Sequence, residues 1–414
     1  MDYSETLQYL YTAAPAFEKV GAGAYKEGLS NTLALDEHFG HPHQRFRTIH
    51  VAGTNGKGSV SHTLAAFLQL CGYKVGLYTS PHLVDFTERI RVDGFPIPQQ
   101  YVVDFVEAER DFFEPLRPSF FELTTAMAFK YFAEQHVDIA VIEVGLGGRL
   151  DCTNIITPQL SVITNISFDH TGFLGDTLEQ IAAEKAGIIK PGVPVVIGET
   201  TPETRKVFQQ KADEMNAPIV FAEDHDRVYP SLLNDFALKG SYQVANLNTI
   251  LNAIHVFSRV TDLVVSKALI PEALQFVVSL TRLHGRWEIR QHNPLVICDT
   301  GHNLAAWEYL APDIKATAQQ CGGRLHIVFG MVDDKDVNGV LALLPQDAEY
   351  YFTQADTHRA IPAVTLADMA ASHGLKGQAF STVKEAYSAA LASAATNDFI
   401  FVGGSSYVVA DFLS

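Results

Sequence analysis

At 414 residues the chain is longer than one core usually supports, and its length suits two or three domains, with two as the simplest division. With 47% hydrophobic and 19% charged residues it has the apolar content of a folded protein, which excludes an intrinsically disordered one. A formal net charge of −17 repels nucleic acid and anionic membranes, so neither is an expected partner, and an anionic substrate needs a local cationic pocket.

The chain opens on Met1-Asp2-Tyr3-Ser4-Glu5, which is acidic and lacks an apolar signal core. Cys71, Cys152, Cys298 and Cys321 lie far apart without metal-ligand pairing, and no apolar run reaches the ~20 residues that span a bilayer. A cytoplasmic, reducing setting is expected. After two amphipathic N-terminal stretches, strands alternate with helices in the rhythm of a doubly wound parallel sheet, with candidate strands at 47–52, 74–79, 137–144, 160–164 and 193–197.

The first strand runs into Gly53-Thr54-Asn55-Gly56-Lys57-Gly58-Ser59 and then a helical pattern. Three glycines allow successive backbone N–H groups to turn onto an anion, and the helix adds the positive end of its dipole. Lys57 supplies an ammonium and Ser59 a metal-ligating hydroxyl, which together suit a nucleoside triphosphate. The spacing departs from the common P-loop: Val51 stands where the first glycine is expected, and Gly58 separates Lys57 from Ser59. Kinase and GTPase readings lose weight accordingly.

Strand 137–144 is nearly all apolar, with Glu143 near its C-terminal end and Gly145-Leu146-Gly147-Gly148 behind it. A central parallel strand delivers such a carboxylate to the ligand crevice, where it can hold a metal or its water shell, although a buried structural glutamate has the same pattern. Asp169-His170 follows strand 160–164 to the same edge; alone, His170 reads as structural, because magnesium prefers oxygen. Lys185 by itself reads as a helix-surface lysine. Arg89, Arg91, Arg149 and Arg286 sit in or beside predicted loops, each commonly a solvated charge but also what an anionic substrate needs.

A second αβ series begins after about residue 285, with strands at 295–298, 325–329, 350–352 and 399–402. We therefore expect a P-loop domain over 1–283 and a smaller Rossmann-like α/β domain over 284–414. Asp299-Thr300-Gly301-His302-Asn303 closes the first of these strands and sets a carboxylate and an imidazole at a sheet's C-terminal edge, the alternative being an Asx turn.

Together these segments resemble the folylpolyglutamate synthase and dihydrofolate synthase family, relatives of the Mur ligases. His50 to Ser59 looks like that family's P-loop, and Thr79-Ser80-Pro81-His82-Leu83 with Glu88-Arg89-Ile90-Arg91-Val92 looks like its mobile loop. Glu143 to Asp151, Glu184-Lys185-Ala186-Gly187-Ile188, Gln243 to Asn246 and His284-Gly285-Arg286 are similar to further family blocks. The resemblance implies that Ser80, Glu143 and His170 help hold two magnesium ions, that Lys185 is open to carbamylation, and that Asn246 and Arg286 contact ATP. It places Asp151, with Arg149 and His82, on the substrate side, and assigns Asp299 and His302 to the second domain. The chain departs from the family's Asp-Gly-Ala-His-Asn-Pro at Thr300-Gly301 and at Leu304.

The activity so implied is ATP-dependent ligation of L-glutamate to a folate through an acyl phosphate. Gly148-Arg149-Leu150-Asp151-Cys152-Thr153-Asn154 looks like the bifunctional form that also glutamylates dihydropteroate, with Cys152 in place of a small alanine or serine. Family members are commonly monomeric, which is the expected state. A monofunctional folylpolyglutamate synthase is one alternative. A Mur ligase acting on a muropeptide is another, although it normally carries a nucleotide-sugar domain ahead of the P-loop. An ATP-driven switch protein would leave Asp299, His302 and Lys185 without roles.

Overall fold

The computed structural model describes residues 1–13 and 28–414. The chain forms two compact units. One comprises Met1–Ala237 with Val244–Leu283, the other His284–Ser414 together with the short segment Leu238–Gln243.

The first unit is built on an eight-stranded sheet: β1 (Arg47–Ala52), β2 (Val75–Tyr78), β3 (Ile90–Val92), β4 (Phe95–Pro96), β5 (Ile139–Glu143), β6 (Leu160–Ile163), β7 (Val195–Ile197) and β8 (Ile219–Phe221). The order is β4-β3-β2-β5-β1-β6-β7-β8, parallel except that β3 runs antiparallel to both β2 and β4. β5 is buried along its whole length because helices cover both faces, which is why Ile139-Ala140-Val141-Ile142 is uninterruptedly apolar. β1 connects to β2 on one side of the sheet and its neighbour β6 connects to β7 on the other, so the chain leaves these adjacent strands in opposite directions and opens a crevice at their C-terminal ends. Glu143 is paired with Val51 in register, which sets its carboxylate beside the start of the glycine loop.

β3, β4 and β8 were not foreseen as strands. Each is two or three residues long, at or next to a sheet edge, and too short for a period-two pattern. Arg89 and Arg91, for which a solvated position was the simple expectation, are buried beside β3, where Arg89 lies over the Phe120 ring.

The second unit has a six-stranded sheet: β9 (Glu288–His292), β10 (Leu295–Asp299), β11 (Leu325–Phe329), β12 (Glu349–Thr353), β13 (Gly377–Phe380) and β14 (Phe399–Gly403). The order is β13-β12-β11-β14-β10-β9, with only β9 antiparallel. Trp307 is wholly buried and meets Phe329 and Phe401 edge-on at 5.5 and 5.8 Å, contacts worth about 0.5–1.5 kcal/mol each beyond area burial. It pins helix Leu304–Cys321 to β11 and β14 just behind the Asp299–Asn303 turn.

Among the described residues no helix is long and apolar enough to cross a membrane. All four cysteines are free thiols.

Candidate active site

The glycine loop between β1 and helix Lys57–Leu70 is clamped rather than floppy. Asn165, just past β6, accepts the Thr54 N–H on its backbone oxygen at 3.0 Å and the Asn55 N–H on its side-chain oxygen at 2.9 Å. The Thr164 hydroxyl donates to the Asn55 carbonyl at 2.5 Å. Two of the amides expected to turn onto an anion are therefore engaged in holding the loop. The amides of Lys57, Gly58 and Ser59 belong to the first turn of the helix and face out of its N-terminal end, as in any helix.

Gly56 adopts φ 84°, and a Cβ there would fall 2.1 Å from the Asn246 side-chain oxygen, so glycine is required both for the turn and to let Asn246 close on the loop. Lys57 folds back, its ammonium donating to the carbonyls of Gly53 and Thr54 at 3.0 and 2.9 Å, where phosphate oxygens would compete for it. Ser59 is buried on the same first turn.

Glu143 is 4% exposed, and the loop behind it is shaped by Asp151. That carboxylate accepts the N–H groups of Gly145 and Leu146 on Oδ2, at 3.0 and 2.9 Å, and the N–H and hydroxyl of Thr153 on Oδ1, at 3.0 and 2.5 Å. A carboxylate offers about four lone-pair sites, and these four bonds use them. Asp151, read from the sequence as a substrate residue, is thus employed in building the glycine turn next to Glu143.

The next residues of that turn press onto the end of helix Leu178–Ala186. A Cβ on Gly187 would sit 2.3 Å from the Arg149 Cα, so glycine permits the approach. Arg149 seals it, its guanidinium meeting Glu184 Oε1 at 2.9 Å and its N–H the Glu184 carbonyl at 2.8 Å. Lys185 is only 4% exposed, contrary to the surface position its helix pattern alone suggests. Burial, then the positive charge of Lys57, bring its amine down from 10.5 to about 7, with Asp169 and Asp151 pulling the other way. The charge of Lys57 is thus felt at Lys185.

His170 has a left-handed backbone, φ 51°, and caps the short helix Thr171–Leu174; its N–H donates to Asp169 Oδ1 at 2.9 Å. Ser80 precedes a cis proline just beyond β2. His82 accepts from Arg89 Nε on Nδ1 at 2.7 Å, which puts the ring proton on Nε2, 3.4 Å from the Tyr11 hydroxyl.

In the second unit Asp299 closes β10 at 3% exposure. Oδ2 accepts the Tyr242 hydroxyl at 2.6 Å and the Trp287 N–H at 2.7 Å, and Oδ1 accepts the Gly301 N–H at 2.8 Å. Burial pushes the carboxyl up, while Tyr242 and Arg286 pull it down. Thr300, where the family pattern has glycine, binds the Gly285 carbonyl through its N–H and hydroxyl at 3.0 and 3.1 Å, and Arg286 donates to that hydroxyl. The departure from the pattern therefore ties the Asp-Thr-Gly-His turn to His284-Gly285-Arg286. His302 Nδ1 donates to the Thr300 carbonyl at 3.0 Å, leaving Nε2 as the basic nitrogen. Asn303 caps helix Leu304–Cys321 by accepting the Ala306 N–H at 3.0 Å, so Leu304 replaces the family's proline without loss of the helix start.

Asn165, Thr153 and Tyr242 were missed by sequence reasoning. Thr164-Asn165 does follow a strand to the same edge as Glu143, a signal that could have been used; Tyr242 gives none.

Comparison with known proteins agrees with this arrangement. The model of the Mur ligase middle domain matches residues 51–249, and that of the Mur ligase glutamate ligase domain matches 285–406. The dihydrofolate synthase/folylpolyglutamate synthase of Bacillus subtilis is 35% identical over 83% of this chain and 84% of its own length. The chain belongs to that family. Among solved structures, Escherichia coli FolC in complex with DHPP and ADP superposes with a TM-score of 0.84 at 32% identity, covering 100% of this chain and 97% of that one. A Yersinia pestis bifunctional folylpolyglutamate synthase/dihydrofolate synthase complexed with AMPPNP and Mn gives 0.82 at 30% identity, covering 100% and 97%. As a member of the family, the chain is an ATP-dependent ligase with a two-domain α/β fold.

Proposed function

We propose that the chain joins L-glutamate to folates in the cytoplasm, acting as a monomer both on reduced folates and on dihydropteroate, at the expense of ATP. The observation that carries this reading is the convergence, at the C-terminal edge of one sheet, of the clamped glycine loop with Lys57, the buried Glu143, and the buried amine of Lys185. An ATP-binding switch has no use for a desolvated lysine there.

The phosphate site is assigned to Gly53 through Ser59, with Asn246 at the loop and Arg286 and Asp299 as further ATP contacts. Lys57 exchanges its two loop carbonyls for phosphate oxygens and offsets the charge that develops as the γ-phosphoryl group passes to the substrate carboxylate. Ser59, on the first turn of the helix that follows β1, and Ser80 and Glu143, at the ends of β2 and β5, offer oxygen donors, a set that fits magnesium, with His170 as the less suited fourth. When bound there, two magnesium ions would supply Lewis-acid neutralisation of the phosphates. Lys185 as an ammonium would oppose a cation. Its neutral amine can add carbon dioxide, losing one proton to become an anionic carbamate, and a pKa of about 7 supports a large neutral fraction.

The resulting acyl phosphate is attacked by the amino group of glutamate, giving a tetrahedral intermediate that expels phosphate and leaves an amide. His302 Nε2 is the assigned acceptor for the amine proton, with its tautomer held by Thr300. Arg149, His82 and the turn built by Asp151 are assigned to the substrate side. Release of ADP that requires both a folate acceptor and glutamate supports this reading; equal turnover of ATP without either overturns it.

A further inference from the structure

A second cluster of ligating side chains lies outside this site, where helix Ser30–His38 turns toward β1. Asp36, in the last turn of that helix, is 4% exposed. Its Oδ2 lies 2.7 Å from His41 Nδ1 and its Oδ1 2.6 Å from His43 Nδ1, and the three ligand atoms all fall within 4.8 Å of one another. The rings stand at 89°, with centroids 6.2 Å apart, so they approach the carboxylate from different sides. The backbone is preset: His41 has φ 53°, and its N–H bonds the Asp36 carbonyl at 2.8 Å.

A carboxylate here is electrostatically misplaced. It is buried, and it stands in the last turn of a helix, where the negative end of the helix dipole lies. Among the described residues its ion-pair partners are the two imidazoles alone. We propose that Asp36, His41 and His43 form an auxiliary zinc site that braces the helix end against the entry to β1.

Two nitrogens and one carboxylate oxygen suit Zn2+ and not Mg2+, which demands oxygen donors. Tetrahedral coordination needs ligand atoms about 3.3 Å apart. Because the two rings now contact different oxygens of Asp36, one nitrogen moves out from the oxygen that ligates while the other closes on it from within 4.8 Å. The His41 side chain is 52% exposed and can make that movement, and its open side leaves the fourth position to water. Each ring would bind the ion through Nδ1 and carry its proton on Nε2.

The test is a zinc titration of the metal-free full-length protein against a competing chelator, run alongside His41→Ala and His43→Ala. The chain's other histidines and its cysteines are common to all three proteins, so the difference isolates this cluster. The unaltered protein should bind one more Zn2+ than either variant and show the visible absorption of four-coordinate Co2+ when cobalt replaces zinc. Its Tm should rise by about 5 °C at a zinc concentration a hundredfold above the dissociation constant, with His41→Ala unmoved. Equal zinc uptake and equal thermal response in all three proteins would overturn the site and leave the cluster as a hydrogen-bonded helix end. The same His41-dependent stabilisation by Mg2+ would overturn the assignment to zinc.

Discussion

The hydroxyl of Tyr242 donates a 2.6 Å hydrogen bond to Oδ2 of Asp299, across 57 residues of chain. Tyr242 belongs to the short segment Leu238–Gln243, which leaves the first unit to pack with the second, and its ring lies against the second unit's core. The phenol thus fixes the orientation of a buried carboxylate that two backbone N–H groups also hold.

Tyr242→Phe keeps the ring packing and removes the donor. A hydrogen bond to a charged group contributes about 1.5–3 kcal/mol, so kcat should fall by about tenfold or more while the fold survives. Loss of the donor also raises the Asp299 carboxyl further, because the bond favours its ionised form. The acidic limb of the pH–rate profile should therefore move to higher pH. An unchanged profile would show that Tyr242 serves packing alone.

Lys57→Ala and Glu143→Ala should each lower ligation by several orders of magnitude, with circular dichroism and Tm close to those of the unaltered protein. Both remove charge at the phosphate site rather than apolar packing. Turnover near normal in either folded variant would remove the glycine loop and its neighbouring strand from the chemistry.

Asp151→Ala strands the buried Thr153 N–H and takes the acceptor from the partly buried N–H groups of Gly145 and Leu146, and a buried orphan costs about 1–3 kcal/mol. Reaction with dihydropteroate and with a reduced folate should fall together, and Tm should drop measurably. Selective loss of the dihydropteroate reaction at unchanged Tm would instead favour a direct contact with a pterin.

Lys185 supplies a pH-dependent signature. Its folded-state value is about 7 against an ordinary 10.5, so between those limits the unfolded chain holds the extra proton and stability rises with pH. In buffer depleted of carbon dioxide, Lys185→Met should be more stable than the unaltered protein below pH 7, by an amount on the order of a few kcal/mol. That advantage should shrink toward pH 10 as the amine discharges in both states. Denaturant melts at a series of pH values measure it, and a constant difference across the range would refute the buried amine. Lys185→Ala should also lose ligation and recover part of it with small carboxylic acids.

Much of the framework was legible before the structure. The apolar runs that became β1, β5, β6, β11 and β14 are central parallel strands buried on both faces, which leaves a continuous signature. Lys57 and Glu143 stood out because each follows such a run. The polar strand β9, exposed at three of five residues, and β13, exposed at three of four, sit at sheet edges without that signature. Side-chain partnerships were the least legible. The occupancy of the Asp151 carboxylate by its own loop, the grip of Asn165 on the glycine loop, and the return of Tyr242 to Asp299 are set by tertiary geometry that no local pattern encodes.

Glutamate transfer itself is tested most directly by the identity of the product. The purified protein is incubated with ATP, magnesium and isotopically labelled L-glutamate, offered dihydropteroate or tetrahydrofolate in parallel, and the products are identified by mass. Labelled dihydrofolate should form in the first reaction and tetrahydrofolate extended by labelled glutamate in the second, each with ADP in equal amount. Absence of labelled product from both, with ATP and acceptor intact, would contradict folate glutamylation; product from tetrahydrofolate alone would restrict the enzyme to tail extension.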